Sequence, residues 1–129
     1  FLDAVATGVP VVVKLPPVCY EQMAERAYEA GVRSFHCTNT LPIPRGGLSG
    51  SPLKPIALGV VRAVRRTFGS GVQIIGGGGI QKPEHVDEFA DAGADHVALG
   101  TITMNPVLLV THAPLRKFIE RADARLGGR

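Results

Sequence analysis

Residues 72–79 read Val-Gln-Ile-Ile-Gly-Gly-Gly-Gly, a short apolar run that ends in four glycines. Apolar, β-branched residues bounded by glycine are typical of a buried strand in a parallel sheet. A glycine run after such a strand lets main-chain N–H groups approach an anion without interference from Cβ atoms. The other interpretation is a tight turn that packs a helix against the sheet. We therefore expect a strand that ends either at a phosphate site or at a tight turn.

Three more apolar runs of this kind occur along the chain, and helical patterns lie between them. Apolar residues recur there every three or four positions, which is the spacing of one helix face. Gly31 and Gly93 directly follow two of the patterns, as glycine often does at a helix end. The predicted strands are residues 11–15, 34–38, 72–75 and 96–99, and the predicted helices are residues 20–30, 55–68, 83–92 and 113–126. The predicted order is βαβαβαβα.

Repeated βα units form either a doubly wound sheet or a (β/α)8 barrel. A dinucleotide-binding sheet carries Gly-x-Gly-x-x-Gly after its first strand, whereas here residues 76–79 follow the third strand and Gly100 and Thr101 follow the fourth. In a barrel, phosphate is commonly bound by the loops after the last two strands and by a short extra helix, for which residues 103–110 are the candidate. The sequence therefore predicts an α/β fold, the last four βα units of a (β/α)8 TIM barrel.

Composition and charge exclude several other classes. The 129 residues are 45% hydrophobic and 19% charged, which is typical of a globular domain, and no apolar run approaches the roughly 18–20 residues of a membrane span. The net charge of +3 comes without the motifs of nucleic-acid binding. Two cysteines without metal-ligand spacing indicate a reducing cytoplasm. The arginines predicted to form solvated outer faces are Arg62, Arg65, Arg66, Arg116, Arg121, Arg125 and Arg129.

Polar side chains follow two of the other predicted strands. Lys14 ends a valine run, and a lysine at the carboxyl end of a barrel strand can stabilise an anion at the barrel mouth; the alternative is a lysine that extends into solvent. Thr38, Asn39 and Thr40 offer hydrogen bonds to a planar polar ligand or form a polar turn. Residues 45–52 form a glycine-rich loop which, on composition alone, is a lid, an anion site or a connector.

Five segments stand in a characteristic order: VVVKLPP (11–17), TNT (38–40), GGLSGSPLKPIAL (46–58), IIGGGGI (74–80) and AGADHVALGT (92–101). In order and spacing, they resemble the C-terminal half of dihydroorotate dehydrogenase over residues 9–126. The GGLSG-x-P-L segment is the most specific, because glycine runs and Gly-Thr pairs occur in many flavin and phosphate barrels. The resemblance implies an FMN-dependent (β/α)8 barrel that oxidises dihydroorotate to orotate in pyrimidine synthesis.

The same resemblance implies roles for residues that bind the cofactor. Lys14 would lie near the pyrimidine edge of the flavin and stabilise negative charge on the reduced ring, while Thr38 would contact FMN. Ser49 and Gly50 would approach the flavin. The residues implied to bind the FMN phosphate are Gly78, Gly79, Gly100 and Thr101.

The resemblance also implies that Asn39 and Thr40 bind the dihydroorotate or orotate substrate. The family's catalytic base, a cysteine or serine on a loop in the first half of the barrel, has no counterpart here, so no catalytic residue is assigned to this chain. Cys19 and Cys37 are interpreted as small apolar residues. No metal site is expected, since the histidines have no ligand spacing: His36, His85, His96 and His112.

The chain opens on Phe1 rather than methionine, and we expect residues 1–129 to be the C-terminal half of a longer barrel. An isolated half would expose two sheet edges and an apolar interior, which favours pairing with the missing half or with a second copy. We therefore expect the 129 residues alone to bind FMN poorly and to lack turnover. Two alternatives stay open at this point: a related flavin-dependent pyrimidine reductase, and a phosphate-binding barrel without redox chemistry.

Overall fold

The computed structural model describes residues 9–107, 111 and 113–127. His112, Arg129 and the last three residues of the predicted short helix, 108–110, lie outside the described residues. Short 3-10 helices occupy Ser51–Leu53, Gly69–Gly71 and Thr101–Met104. The strands and α-helices are β1 (Val12–Leu15), α1 (Tyr20–Glu29), β2 (Ser34–Cys37), β3 (Leu41–Ile43), β4 (Gly46–Leu48), α2 (Lys54–Phe68), β5 (Gln73–Gly77), α3 (His85–Asp91), β6 (His96–Ala98) and α4 (Ala113–Leu126).

The four predicted strands and four predicted helices are present, with bounds that differ by at most two residues. The two-residue differences are at β5, which ends at Gly77 instead of residue 75, and at α3, which begins at His85 instead of residue 83. The main-chain N–H groups of Val86 and Asp87 bond to the carbonyls of Pro83 and Glu84, three residues back, so the first turn is tighter than an α-helix. The prediction of a loop at residues 45–52 is wrong in part, because β3 and β4 form an antiparallel hairpin around Pro44 and Arg45.

The main sheet has four parallel strands in the order β1-β2-β5-β6, which is also their order along the chain. A doubly wound sheet reverses its strand order at the middle, and this sheet does not. Helices α1, α2, α3 and α4 pack against β1, β5, β6 and one another. The buried side chains of the strands lie on the helix side: Val13, Leu15, Phe35, Cys37 and Ile74. A sheet whose strand order is not reversed, and whose helices lie on one face only, is the arrangement of a sector of a (β/α)8 barrel.

The face of the sheet away from the helices is more polar than expected. Alternation along each strand brings Lys14, His36, Ile75 and His96 into one row of paired residues across all four strands. The neighbouring row contains Val12, Ser34 and Gln73. Because most of these side chains are polar, the expectation of an apolar open interior is wrong for the described residues. Hydrogen-bonding groups instead face the space that a closed barrel encloses.

The layer between sheet and helices is the hydrophobic core, and one glycine of the run at 76–79 belongs to it. A Cβ atom at Gly76 would lie 2.6 Å from the Phe89 ring and 3.1 Å from Cβ of Ala94. Phe89 is fully buried, so α3 sits against the sheet only because residue 76 has no side chain. The packing interpretation of the glycine run therefore holds for Gly76.

Arg65 is not part of a solvated outer face, contrary to the sequence prediction. Its Nε donates to the carbonyl of Gly93 at 2.9 Å and its Nη1 to the carbonyl of Val72 at 3.0 Å. Nη1 also bonds to the carbonyl of Gly69 at the end of α2, and Nη2 pairs with Asp95. Asp95 in turn accepts the Ile74 N–H at 2.8 Å. One guanidinium thus links the end of α2, the start of β5 and the turn before β6.

We expect Arg65→Ala to lower the free energy of unfolding by about 2–3 kcal/mol, because three carbonyls and the Asp95 carboxylate lose a charged donor in a partly buried site. The matched control is Arg62→Ala on the same helix, where the side chain is exposed and the change should stay within about 0.5 kcal/mol. Urea unfolding of both variants measures the difference. Equal stability of the two variants would contradict a linking role for Arg65.

Two further arginines predicted as solvated form ion pairs between α3 and α4. Arg121 bonds to the Asp87 carboxylate, and Arg125 lies 3.3 Å from Asp87 and also contacts Asp91. The hydrogen bonds from Arg121 hold the pKa of Asp87 below its ordinary value. These exposed pairs connect α4 to α3, and individually they contribute little to stability.

The two cysteines differ in environment, although both are free thiols. Cys37 is fully buried on the helix side of β2, and burial raises the pKa of its thiol to about 12. It is the small apolar core residue that was predicted. Cys19 is exposed and has a φ of 54° just before α1, so the same interpretation is wrong for it.

Candidate functional site

A cleft of about 220 Å³ opens where β1, β2, β5 and β6 end. Carboxyl ends of parallel strands form the active-site face of a barrel. All ten residues that the sequence assigned to cofactor or substrate line this cleft, from five separate segments of the chain: Lys14, Thr38, Asn39, Thr40, Ser49, Gly50, Gly78, Gly79, Gly100 and Thr101. The fold therefore brings together residues that are up to 87 positions apart in sequence (101 − 14).

Two of the larger grooves of the described residues are less suited to a polar ligand. One of about 570 Å³ runs along α1 beside Val13 and Met23, and one of about 650 Å³ runs along α4 beside Leu115 and Ile119. Both are broad surface features lined mainly by side chains of a single helix. Ligand sites carry a few polar groups that converge from different elements, and only the cleft at the strand ends has that property among these three.

The turn after β5 forms one wall of the cleft and requires glycine. Gly78 and Gly79 have φ values of 110° and 81°, a region that side chains other than glycine rarely adopt. A Cβ atom at Gly79 would lie 2.7 Å from both the carbonyl oxygen of Gly50 and the main-chain nitrogen of Lys54. The glycine turn is therefore packed directly against the backbone that begins α2. Main-chain groups, not side chains, form this wall.

A second wall comes from the chain that follows β6. Gly100 precedes the 3-10 helix Thr101–Met104, and both N–H and Oγ1 of Thr103 donate to the Gly100 carbonyl, at 2.8 and 2.7 Å. Of the predicted short helix at 103–110, residues 103 and 104 belong to this 3-10 helix, which ends before the extended Asn105. The first N–H groups of a helix have no acceptor inside it, which leaves those at Thr101 and Ile102 for a ligand. Thr101 Oγ1 also donates to Ser49 Oγ at 3.4 Å, joining this wall to the loop before α2.

Lys14 and His36 lie side by side on the cleft floor, as paired residues of β1 and β2. The imidazole of His36 covers Gly77, where a Cβ atom would lie 3.1 Å from Nε2. Burial, and to a lesser extent the charge of Lys14, lowers the pKa of His36 below its ordinary value, which favours the neutral ring. The floor therefore combines one cation with one neutral donor–acceptor group.

The polar segment after β2 is held in place by the end of β1. Thr38 is buried, and its hydroxyl donates to the Leu15 carbonyl at 2.9 Å, while its N–H bonds to Gly77 at 3.0 Å. The Asn39 N–H also donates to Leu15, at 2.9 Å. Asn39 Oδ1 accepts the Thr40 N–H at 2.9 Å, so the side-chain NH₂ is the group of Asn39 that can donate to a ligand.

The hairpin formed by β3 and β4 extends from the rim of the cleft. It begins directly after Thr40 and ends directly before Ser49, and both of those residues line the cleft. Leu41 pairs with Leu48 at its base. The hairpin thus fixes the distance between residues 38–40 and the loop before α2, which argues against a flexible connector.

The cleft has six further lining residues that were not assigned from the sequence: His36, Leu53, Ile80, Gln81, Ala98 and Leu99. His36 could have been found, because its position in β2 corresponds to that of Lys14 in β1 once the two strands are aligned by their buried residues. The apolar members carry no chemical signal in the sequence, since any strand end or turn has such residues.

Other types of site are not found in the described part of the chain. It contains no group of three or more His, Cys, Asp or Glu side chains that could bind a metal ion. No helix there is long and apolar enough to cross a bilayer. Cys19 and Cys37 are absent from the cleft lining.

Comparison with known proteins identifies the family. The family model described as "Dihydroorotate dehydrogenase" matches residues 2–113. The chain belongs to the dihydroorotate dehydrogenase family. Among curated relatives, the catalytic subunit of dihydroorotate dehydrogenase B (NAD(+)) from Listeria welshimeri is 38% identical, covering 84% of this chain and 42% of the relative. The dihydroorotate dehydrogenase (quinone) of Clavibacter michiganensis is also 38% identical, over 69% of this chain and 31% of that protein.

Solved structures of dihydroorotate dehydrogenases share the fold. The enzyme of Eimeria tenella in complex with ferulenol is 26% identical with a TM-score of 0.67, covering 89% of this chain and 35% of that one. Its ligand-free form gives a TM-score of 0.68 at 26% identity, over 91% and 34% of the two chains. The (β/α)8 barrel prediction is therefore confirmed. The chain spans about two fifths of the length of the dihydroorotate dehydrogenase B subunits that it matches.

Proposed function

We propose that this chain provides the FMN phosphate site and part of the pyrimidine site of a dihydroorotate dehydrogenase, which oxidises dihydroorotate to orotate. One observation carries the proposal: a cation, glycine-lined main chain and an amide–hydroxyl pair converge in one cleft at the strand ends of a member of this family. Residues 1–129 are, in this proposal, the C-terminal half of the FMN-binding barrel. The free thiols support a cytoplasmic location.

The residues of the cleft fit FMN. Gly78 and Gly79 on one wall, with Gly100 and Thr101 on the other, offer main-chain N–H groups and no bulky side chain to a phosphate. Ser49 and Gly50 stand between the two walls, where they would contact the flavin. Thr38 is fixed by its hydroxyl bond to Leu15, so it would present a rigid surface to the ring. FMN, when bound, supplies the two-electron redox chemistry of the reaction.

The chain's own contribution to the chemistry is positioning and charge. The Lys14 ammonium, at the end of β1, would stabilise negative charge that develops on a bound ring during oxidation of the substrate. Asn39 and Thr40 would orient the substrate, because an amide NH₂ and a hydroxyl match the edge of a planar pyrimidine. In this proposal the base that removes the substrate proton comes from outside this chain.

A complete site needs a further wall. The cleft volume of about 220 Å³ lies below the range of about 300–1,000 Å³ that is usual for small-molecule sites. The strands β1 and β6 are the edges of the described sheet, and further strands paired with them would enclose the open face. We propose that the rest of the barrel covers the cleft, and that the 129 residues alone bind FMN weakly and lack turnover. The small-molecule substrate and the other half-barrel are thus the proposed partners.

The experiment that tests this function uses the full-length protein under anaerobic conditions. We expect it to bind FMN. Dihydroorotate should then remove the absorbance of the oxidised flavin, and dihydrouracil should not. Bleaching by dihydrouracil in place of dihydroorotate would identify a pyrimidine reductase instead. A colourless protein that does not take up FMN would favour a phosphate-binding barrel without redox chemistry.

A further inference from the structure

The turn that follows the glycine run is held by a histidine side chain. His85 is the first residue of α3, and its Nδ1 lies 3.2 Å from the Gln81 main-chain nitrogen and 3.3 Å from the Gly79 carbonyl oxygen. A main-chain N–H can only donate, so Nδ1 is the acceptor and the ring proton is on Nε2. The Gly79 oxygen is then a close neighbour of Nδ1, not its hydrogen-bond partner.

The opposite side of the same turn is fixed by α2. Gly79 is packed against Gly50 and the main-chain nitrogen of Lys54. The Lys54 ammonium bonds to both carboxylate oxygens of Glu88 on α3, at 2.8 and 2.9 Å. The start of α2 and the start of α3 thus hold residues 79–81 between them. His85 supplies the contact from the α3 side that acts on the turn's own backbone.

We propose that His85 is a positioning residue for the phosphate-binding turn. By accepting the Gln81 N–H, it fixes the peptide that follows Ile80 and so the direction in which the preceding N–H groups face the cleft. Gln81 and Ile80 both line that cleft, so a rotation of this peptide changes its wall directly. The inference rests on the proposed function, since it concerns the same phosphate. It assigns His85 no contact with the cofactor.

The test compares FMN with riboflavin, which lacks the phosphate, in the full-length protein. We expect His85→Leu to raise the Kd for FMN about tenfold, the effect of losing one hydrogen bond, and to leave the Kd for riboflavin unchanged. His85→Asn should retain the Kd of the unaltered protein within about twofold, because Asn Oδ1 occupies nearly the position of Nδ1. His85→Gln places its oxygen one carbon further away and should resemble the leucine variant.

The outcomes separate this inference from the function on which it rests. Equal weakening of FMN and riboflavin, or no weakening of FMN, would overturn a role in positioning the phosphate turn. If the leucine variant does not fold, the Kd values of His85→Asn and His85→Gln for FMN provide the test. Equal FMN binding by those two variants would overturn the inference. If the unaltered protein does not prefer FMN to riboflavin, the phosphate site itself is refuted.

Discussion

Replacing Gly79 with alanine is expected to weaken FMN binding by about 100-fold or more. The new Cβ atom would lie 2.7 Å from Gly50 O and Lys54 N, and both are main-chain atoms that cannot rotate away. The φ of 81° adds strain of about 1–2 kcal/mol for any residue with a side chain. The turn therefore has to move out of the position in which its N–H groups line the cleft. Equilibrium titration of the full-length protein with FMN measures the loss of affinity.

Gly59→Ala is the matched control for this substitution. Gly59 lies in the middle of α2, and a Cβ atom there would meet nothing within 4 Å. Because alanine is the better helix former, the variant should be more stable by about 0.5–1 kcal/mol and should bind FMN normally. FMN binding by the Gly79 variant at the level of the Gly59 variant would contradict a phosphate site at this turn.

Replacing Lys14 with alanine is expected to slow reduction of the flavin by dihydroorotate about 10²–10³-fold, the usual cost of removing one group that stabilises developing charge. The reason is its position at the cleft floor, next to a neutral His36 and among groups that carry no charge of their own. Anaerobic stopped-flow measurement of the absorbance change gives the rate. The flavin midpoint potential should also become more negative, because the reduced ring loses a nearby cation.

Lys117→Ala provides the control for Lys14, since it removes the same side chain from the exposed surface of α4. Its reduction rate and potential should equal those of the unaltered protein. Reduction by the Lys14 variant at an unchanged rate would exclude the proposed role for Lys14. A rate loss shared by both lysine variants would indicate a general effect of net charge.

The sequence predicts best those strands and helices that depend only on the spacing of nearby apolar residues. The valine run before Lys14 and the helix pattern at 55–68 follow from the spacing of neighbouring residues alone. The convergence of Lys14, Asn39 and Gly79 follows from the rule that parallel strands end at the same edge. The resemblance to the family assigned ten of the sixteen lining residues before the structure was known, and the strand-end rule explains why they converge.

The features that escaped prediction depend on long-range contacts. The hairpin at Leu41–Ile43 and Gly46–Leu48 has three-residue strands containing proline and glycine, which carry no strand signal. Arg65 has the spacing of an exposed helix residue, and its partners Gly93 and Asp95, 28 and 30 residues later, cannot be read from that spacing. His85 likewise gains its role from a turn whose shape glycine φ values determine.

The most direct test of the central claim is a crystal structure of the full-length protein with FMN bound. We predict that the phosphate lies within about 3 Å of the main-chain nitrogens of Gly79 and Thr101, and that the flavin ring extends toward Lys14. A phosphate bound elsewhere, with these nitrogens facing solvent or protein, would contradict the claim that this cleft is the cofactor site.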